Sequence, residues 1–354
     1  MLPKRVLVLG GSTGYGLSSR IVAAFAGKAD TINVSFEREP SETKTATPGW
    51  YNTVAFEAEA KRAGLKAESI YGDAFSDATK EKTGNLIKEL LGQVDLVIYS
   101  LASPLRTDPK TGITYRSVLK PIGKAFTALS VDMDADQVKL ATIEPAEGTQ
   151  VEETVKVMGG EDWSLWIDYL LKENLLAPHA MTVAYSYIGP KITYPVYHEG
   201  TIGAAKDHLE ASAALLTGKL EGIQGKAFVS VNKALVTRAS SVIPVVPLYM
   251  ALLYKVMKEK TLHEHCTQQI YRLFTDRLYA NKPIETDEKG RIRVDDWEMR
   301  SDIQQEVEKR WALQKEGEVL KMGDLEGVRE EYEHIHGFGF PSIDYEKDID
   351  PRII

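Results

Sequence analysis

The feature that most constrains this chain is a glycine-rich loop close to its start. Arg5–Leu9 is an apolar run typical of a strand, residues 17–26 have a helical pattern, and between them lies Gly10-Gly11-Ser12-Thr13-Gly14-Tyr15-Gly16. The spacing Gly-x3-Gly-x-Gly lets the backbone turn tightly and approach a pyrophosphate, to which the helix N-terminus presents unpaired N–H groups. A glycine motif alone is weak evidence, but here it has the strand–turn–helix context that a dinucleotide site requires. The sequence therefore predicts a Rossmann-type α/β fold.

The rest of the chain alternates β-rich runs with helical patterns, in the order expected for βαβ units in a parallel sheet. Further strands are predicted at 31–36, 66–71, 94–99, 182–187 and 228–237, and helices at 51–63, 77–91, 161–176 and 201–220. Residues 103–150 are too long for an ordinary loop, so we interpret them as an insertion near the ligand. We expect residues 1–354 to form a single domain, with helices on both faces of the sheet, inserted substrate-binding segments and a mainly helical part from about 245 to 354.

Composition excludes several classes of protein. The net charge is −8 and the basic residues are interleaved with acids, so nucleic-acid binding has no electrostatic support. The single cysteine, Cys266, cannot form an intramolecular disulfide and no signal segment opens the chain, which favours a cytoplasmic location. The longest apolar stretch, residues 239–254, contains Pro244 and Pro247 and is shorter than the ~20 residues of a membrane span. We expect no membrane span, and interpret this stretch as a buried or substrate-facing helix.

Residues at the ends of the predicted strands indicate the cofactor. Glu37 follows the second strand, where a carboxylate accepts hydrogen bonds from ribose hydroxyls and repels the 2′-phosphate of NADP, so NADH is favoured. The neighbouring Arg38 could instead pair with that phosphate, which leaves NADPH open. By position, Asp73 lies where an acid can accept from an adenine amino group, and Ser100-Leu101-Ala102 lies near the nicotinamide.

A tyrosine and a lysine are candidates for the chemistry. Hydride addition to an activated double bond places negative charge on an oxygen, so the site needs a positioned proton donor. Tyr197 and Lys206 are separated by eight residues and would lie on opposite faces of one helix, but Pro195 and Gly200 predict a helix break that lets them converge. We expect the lysine charge to lower the pKa of the phenol. Tyr187 is a second phenol that could reach the same place, and a purely structural role for each tyrosine remains open.

Metal and thiol chemistry have little support. The pairs His263/His265 and His334/His336 are two residues apart, which suits neither one helix face nor the H-E-x-x-H zinc arrangement. Cys266 has no evident activating partner. We predict no metal site and an inert thiol.

At this point the sequence resembles the trans-2-enoyl-CoA reductase and FabV-type enoyl-acyl-carrier-protein reductase family, a large relative of the short-chain dehydrogenases. The resemblance spans almost the whole chain, and the Tyr-x8-Lys spacing of Tyr197 and Lys206 is its most specific element. The other segments that carry it are KRVLVLGGSTGYGL at the start, FER at 36–38, GDAFSD at 72–77, VIYSLASP at 97–104, VMGGEDW at 157–163 and KALVTRASSVIP at 233–244.

The resemblance implies NADH-dependent reduction of the trans-2 double bond of an enoyl-CoA or enoyl-acyl-carrier-protein. It implies that Tyr197 is the proton donor, Lys206 binds the cofactor ribose and Tyr187 contacts the substrate carbonyl. It also implies nucleotide contacts by Gly10, Gly11, Ser12, Thr13, Gly14, Tyr15, Phe36, Glu37, Asp73, Ala74, Leu101, Ala102, Leu235, Val236 and Thr237.

Two kinds of function stay open besides that one. A ketone or alcohol oxidoreductase, or a non-catalytic NADH-binding sensor, can use the same scaffold. We expect a monomer. Family members usually carry an extra segment ahead of the first Rossmann strand, whereas this strand begins almost at Met1, so we expect an effect on packing at the N-terminal end.

Overall fold

A computed structural model describes residues 2–237 and 245–352. Its strands are β1 (Arg5–Leu9), β2 (Asp30–Ser35), β3 (Ala67–Tyr71), β4 (Val94–Tyr99), β5 (Leu105–Thr107), β6 (Thr114–Arg116), β7 (Phe126–Val131), β8 (Val138–Ile143), β9 (Leu176–Ser186), β10 (Lys226–Val231) and β11 (Ile292–Arg293). Its α-helices are α1 (Gly14–Ile21), α2 (Pro48–Arg62), α3 (Asp77–Leu90), α4 (Gln150–Met158), α5 (Glu161–Lys172), α6 (Thr201–Lys219), α7 (Val246–Glu259), α8 (Cys266–Arg272), α9 (Ser301–Ala312) and α10 (Leu325–His334).

In the described ranges, seven strands form one parallel sheet in the order β3-β2-β1-β4-β9-β10-β11. β1 is an inner strand that pairs with β2 through Val6–Thr31 to Leu9–Val34, and with β4 through Val6–Leu96 to Leu9–Tyr99. Its apolar run is buried because parallel strands are covered on both faces. This order confirms the predicted Rossmann-type sheet, and its crossover between β1 and β4 is the usual position of a dinucleotide.

Alternate residues of each strand contribute to two cores, one on each face of the sheet. Leu7, Leu9 and Val97 pack with Trp163 and Trp166 of α5. Val6, Val8 and Ile98 pack on the other face with Ile270 and Phe274, in and just after α8. Trp163 and Trp166 also donate their indole N–H groups, to Thr182 Oγ1 at 2.8 Å and to the Ala74 carbonyl at 3.0 Å, so burial leaves neither donor unpaired.

Several predicted boundaries need correction. The predicted helix at 161–176 ends at Lys172, because Asn174 adopts a left-handed conformation with φ 55° and turns the chain into β9. β9 therefore starts at Leu176, six residues before the predicted strand at 182–187. The predicted strand at 228–237 ends at Val231, since after a last bond from Asn232 N–H to the Ser186 carbonyl the amides of Lys233, Ala234 and Val236 bond side chains instead of a neighbouring strand. No sequence pattern indicated β11, which is only two residues long.

The segment predicted as an insertion at 103–150 contains two β-hairpins, β5–β6 and β7–β8. The backbone of Lys120, between the hairpins, pairs with the start of α6: Thr201 N–H donates to the Lys120 carbonyl at 2.9 Å, and Lys120 N–H donates to Thr201 Oγ1 at 3.2 Å. This junction lies directly after the turn that carries Tyr197. The insertion therefore contacts the element on which the predicted proton donor depends.

The C-terminal part builds a third core against α7. Residues of α7, α9 and α10 pack together, and the hairpin β7–β8 and the rings of Tyr187 and Tyr197 contact the same cluster. Of the apolar stretch 239–254, residues 239–244 lie outside the described residues, and the rest falls largely in the buried helix α7. No helix among the described residues is both long and apolar enough to cross a membrane.

Candidate active site

The glycine loop lies between the carboxyl ends of β1, β2 and β4. Gly10 has φ 87°, and a side chain there would collide with the Ser100 carbonyl oxygen. A Cβ on Gly11 would come within 2.6 Å of Asn33 Oδ1, which accepts the Gly11 N–H at 2.8 Å. The strand ends therefore fix a backbone turn that leaves room only for glycine. Because α1 begins at Gly14, its free N–H groups face the same position.

Glu37 lies beside this loop. Its Oε1 accepts the Ser12 hydroxyl at 2.7 Å, and Gly49 leaves room for the carboxylate because a side chain there would collide with it. Its Oε2 is buried and has no hydrogen-bond partner among the described residues. A buried oxygen without a donor is costly, and a ribose hydroxyl would satisfy it. The fit between this carboxylate and a nucleotide ribose is thus visible in the residues themselves.

The neighbours of Glu37 point outward. Phe36 is 84% exposed, which is unusual for a phenylalanine and leaves its ring free to pack on a nucleotide base. Arg38 is also exposed, and its guanidinium contacts the Thr45 carbonyl at 3.5 Å. Glu37 is held against the loop, whereas Arg38 lies at the surface, so this geometry favours the carboxylate as the group that meets the ribose.

The other nucleotide candidates lie on the neighbouring strand ends. The Asp73 carboxylate accepts the Phe75 N–H at 3.0 Å. The carbonyl of the buried Ala74 accepts the Trp166 indole N–H at 3.0 Å. Leu101 packs against Gly10, and Ala102 is exposed. The sheet brings these residues to the same edge as the glycine loop, while their contacts with a nucleotide stay predictions.

Residues 233–237 connect the loop to the second half of the site. The Tyr15 hydroxyl lies 2.9 Å from the Lys233 carbonyl oxygen, and the side chain of Thr237 abuts Gly14. Between them, the Val236 N–H donates to the Tyr254 hydroxyl at 3.0 Å. Leu235, Val236 and Thr237 thus form irregular chain after β10, and the remainder of the segment KALVTRASSVIP, residues 238–244, lies outside the described residues.

The two predicted catalytic tyrosines are in contact. The rings of Tyr187 and Tyr197 are 4.8 Å apart in an edge-to-face arrangement. Tyr187 follows the end of β9, and Tyr197 lies in the turn between a short 3-10 helix at Lys191–Thr193 and α6. Burial raises the pKa of both phenols, so both keep their protons at neutral pH. The Tyr197 hydroxyl has no hydrogen-bond partner within residues 2–237 and 245–352, which leaves it available to a substrate.

Lys206 lies in α6, as predicted, but it makes no hydrogen bond or ion pair with Tyr197 in the described part of the chain. Its ammonium donates to the Tyr185 carbonyl at 2.9 Å, at the end of β9. Burial lowers the pKa of Lys206 to about 8, and Glu210 partly opposes that shift. Lys206 does not contribute to the pKa of Tyr197 in this arrangement, contrary to our expectation that it lowers that pKa. Its contact with a ribose stays a prediction.

One functional candidate was not found from the sequence. Glu298, in the turn between β11 and α9, is fully buried, and its Oε1 accepts the Tyr187 hydroxyl at 3.1 Å and the Tyr249 hydroxyl at 2.7 Å. Its Oε2 accepts the Ala234 N–H at 2.7 Å. Glu298 is 111 residues from Tyr187 in the chain. It stands close to Asp295 and Asp296, and no local pattern distinguishes it from them.

The remaining candidates have ordinary surroundings. His263 pairs with Glu331 at 2.9 Å, and His334 stacks on Phe340. Among the described residues, no group of three histidine, cysteine, aspartate or glutamate side chains could hold a metal ion. Burial raises the pKa of Cys266 to about 12, which keeps the thiol protonated and unreactive at neutral pH.

Three family models match this chain. "Trans-2-enoyl-CoA reductase catalytic region" matches residues 44–279, "NAD(P)H binding domain of trans-2-enoyl-CoA reductase" matches residues 1–42, and "Enoyl reductase FAD binding domain" matches residues 286–349. The chain belongs to the trans-2-enoyl-CoA reductase and FabV-type enoyl-acyl-carrier-protein reductase family. The resemblance seen in the sequence is therefore confirmed.

Individual members of this family are similar over nearly the full chain. An enoyl-[acyl-carrier-protein] reductase [NADH] of Flavobacterium psychrophilum is 57% identical over 99% of this chain and 88% of its own length. The corresponding protein of Cytophaga hutchinsonii is 58% identical, over 99% and 89%. The crystal structure of Treponema denticola trans-2-enoyl-CoA reductase in complex with NAD aligns with a TM-score of 0.94 at 52% identity, covering 99% of this chain and 87% of that one.

The FAD named for residues 286–349 does not fit the residues found there. This segment contributes β11, α9 and α10, and no glycine-rich turn joins a strand to a helix within it. Both helix N-termini carry carboxylates, since Asp302 lies in the first turn of α9 and Asp324 caps α10 by accepting the Gly327 N–H at 3.2 Å. Such ends repel a pyrophosphate instead of binding it. The segment instead supplies Glu298 to the tyrosine pair.

Proposed function

We propose that this protein is an NADH-dependent reductase of enoyl thioesters in fatty acid synthesis. It converts the trans-2 double bond of an enoyl-CoA or enoyl-acyl-carrier-protein into the saturated acyl thioester. The observation that carries the proposal is the placement of the unpartnered Tyr197 hydroxyl beside Tyr187, joined through residues 233–237 to a glycine loop built for a dinucleotide. Membership of a family whose members are NADH-dependent enoyl reductases supports it.

The nucleotide site does its work through backbone and one carboxylate. The loop from Gly10 to Tyr15 and the start of α1 would hold the pyrophosphate, and Glu37 would hold the adenosine ribose through its unpartnered Oε2. Bound NADH supplies a hydride. Because Glu37 also repels a 2′-phosphate, we propose a preference for NADH. Any use of NADPH would depend on Arg38, whose guanidinium could pair with the 2′-phosphate.

The tyrosine site handles the charge that develops on the thioester oxygen. When C3 of the substrate gains a hydride, negative charge moves to the carbonyl oxygen, and a phenol that is still protonated can donate to it. Tyr197 is suited to this role because burial keeps its hydroxyl protonated and no described residue forms a hydrogen bond with that hydroxyl. Tyr187 would contact the same carbonyl. Lys206 would hold the nicotinamide ribose from the end of β9.

Other expectations remain proposals. We propose that the chain acts as a single domain, in which the insertion at 103–150 and the helical part from about 245 shape the substrate side. A monomer and a cytoplasmic location stay predictions. CoA and acyl-carrier-protein substrates share the enoyl thioester that would meet the tyrosines and differ in the carrier group. The choice between them therefore depends on contacts with that carrier group.

Incubation of the protein with NADH and crotonyl-CoA tests the proposal. We expect loss of the reduced-nicotinamide absorbance in step with formation of butyryl-CoA. Turnover of ketones without turnover of crotonyl-CoA would support a ketone or alcohol oxidoreductase in its place. Binding of NADH with no turnover of either would support a sensor.

A further inference from the structure

Glu298 lies against Tyr187, one member of the tyrosine pair. Three donors converge on its buried carboxylate: the Ala234 N–H on Oε2, and the hydroxyls of Tyr187 and Tyr249 on Oε1. Ala234 belongs to the segment next to the nucleotide loop, and Tyr187 belongs to the substrate site. A single carboxylate therefore joins the two halves of the site, and it comes from the part of the chain that the FAD model matches.

The proton of Tyr249 has one destination. Gln304 Nε2 donates to the Tyr249 hydroxyl oxygen at 3.0 Å and to the Glu298 carbonyl at 2.7 Å. Because an amide nitrogen only donates, Tyr249 accepts there and must give its own proton to Glu298 Oε1. Tyr249 thus donates to Glu298 whether or not Glu298 carries a proton.

The proton of Tyr187 has two possible destinations. When Glu298 is ionised, it is acceptor-only, so the Tyr187 O–H points at Oε1 and only phenol lone pairs face the substrate. When Glu298 is protonated on Oε1, it donates to the Tyr187 oxygen, and the phenol proton is free to point into the site. A thioester carbonyl can accept a hydrogen bond but cannot donate one, so only the second state helps the reaction.

We propose that Glu298 is a positioning residue that sets the direction of the Tyr187 hydroxyl, so that neutral Glu298 turns Tyr187 into a donor for the thioester oxygen. This inference rests on the proposed function, because it assigns Tyr187 to the substrate carbonyl. No bond to carbon is made by Glu298, and its proton remains shared with Tyr187 throughout. The role of Glu298 is to hold a second donor beside Tyr197.

The surroundings of Glu298 bring the pKa of its carboxyl group close to neutral pH. Burial raises its pKa to about 7, while the Tyr249 hydroxyl, the Ala234 N–H and the Lys233 ammonium oppose that shift and Asp295 adds to it. The other titratable groups that feel its charge are Tyr15, Tyr187 and Tyr197, all of which burial keeps protonated. The neutral form therefore dominates below about pH 7, and the donor state of Tyr187 is lost as the pH rises through that value.

The test compares pH profiles of kcat/KM for crotonyl-CoA between pH 5.5 and 9, with NADH saturating at each pH. The titration of Lys206 is shared by all the variants, so the difference between their profiles reports on Glu298. In the unmodified protein we expect a decline of up to about tenfold per pH unit above pH 7, as for loss of one proton. Glu298→Gln cannot ionise, so we expect its profile to lack the decline that begins near pH 7. We expect lower activity because an amide nitrogen at the Oε1 position cannot accept the Tyr249 hydroxyl. Glu306→Gln, which removes a surface carboxylate paired with Arg310 in α9, is the matched control and should keep the original decline.

A second variant keeps the proposal testable if Glu298→Gln does not fold. Tyr249→Phe removes one donor from the carboxylate while leaving Tyr187 in place, so the pKa of Glu298 should rise and the decline should move about one pH unit upward. A purely structural role for Glu298 predicts no such movement. Superimposed profiles for Glu298→Gln and the unmodified protein, or an unmoved decline in Tyr249→Phe, would overturn the proposal.

Binding without turnover separates this proposal from the proposed function. Calorimetric titration of crotonyl-CoA into protein saturated with NAD⁺ requires no reduction. We expect the Kd of crotonyl-CoA to rise above pH 7 in the unmodified protein and to stay constant in Glu298→Gln. A pH-independent Kd in the unmodified protein would refute the role of Glu298, whereas this pH dependence without any NADH consumption would refute only the reductase.

Discussion

The nucleotide site and the tyrosine site are built in different ways. The nucleotide site is assembled within the first hundred or so residues, from backbone turns at neighbouring strand ends and from the steric limits around Gly10 and Gly11. The tyrosine site joins side chains from two distant segments: Tyr187 and Tyr197 lie on one connection between β9 and α6, and Glu298 follows 111 residues after Tyr187. Residues 233–237 are the contact between them.

This difference predicts different responses to mutation. A site made of backbone is altered mainly by substitutions that add side-chain atoms, such as replacement of a glycine. Disruption of this site should appear as weaker nucleotide binding. A site made of buried phenols and a carboxylate is altered by removing single polar atoms, and its loss should appear in turnover. The predictions below separate these two responses.

The largest effect is expected at Tyr197. Tyr197→Phe keeps the ring that packs on Tyr187 but deletes the hydroxyl, so kcat should fall on the order of 10²-fold or more, as for loss of one oxyanion donor. The Kd of NADH, measured by fluorescence titration, should be nearly unchanged. If Tyr197→Phe remains active while Tyr187→Phe is inactive, Tyr187 is the proton donor and the assignment of the two phenols must be exchanged.

A mixed effect is expected at Lys206, which we propose holds the nicotinamide ribose next to the tyrosine site. Lys206→Met keeps the apolar stem but removes the ammonium at the end of β9, so NADH affinity and kcat should each fall about tenfold, or about 1.4 kcal/mol. Lys219→Met is the matched control on α6, because Lys219 pairs with Asp168 at the surface. Unchanged NADH affinity in Lys206→Met would remove Lys206 from the ribose site.

The smallest effect is expected at Glu37, in the nucleotide site. Glu37→Ala removes the carboxylate that disfavours a 2′-phosphate, and the ratio of kcat/KM for NADH to that for NADPH should shrink roughly fivefold, as for about 1 kcal/mol of charge repulsion. Glu39→Ala, at an exposed carboxylate two residues further on, should leave the ratio unchanged. An unmodified protein that already prefers NADPH would shift the choice of cofactor to Arg38.

The same contrast explains what could be predicted from the sequence. β1 and β4 match their predicted bounds, because short apolar runs followed by glycine or polar turns are local signals. The insertion at 103–150 was recognised by its length, but its two hairpins were not, since their half-exposed strands have weak alternation. The strand predicted to reach Thr237 ends at Val231 because the amides of Ala234 and Val236 bond Glu298 and Tyr254, which no local pattern reveals.

The candidate site divides along the same line. The glycine loop and Glu37 follow from spacing within one βαβ unit, and the Tyr-x8-Lys spacing predicts roles for Tyr197 and Lys206 that stay predictions. Glu298 could not be found in this way, because its importance depends on a contact with Tyr187 made only in the folded chain. Tertiary contacts between distant side chains are not recorded in the local pattern of a single sequence.

The position of a transferred label tests the account most directly. NADH deuterated at the transferred C4 position is incubated with crotonyl-CoA, and the product is analysed by mass spectrometry and NMR. We expect butyryl-CoA with one deuterium at C3 and one solvent-derived hydrogen at C2. Deuterium on the carbonyl carbon, or butyryl-CoA without deuterium, would contradict hydride transfer to the enoyl double bond in this site.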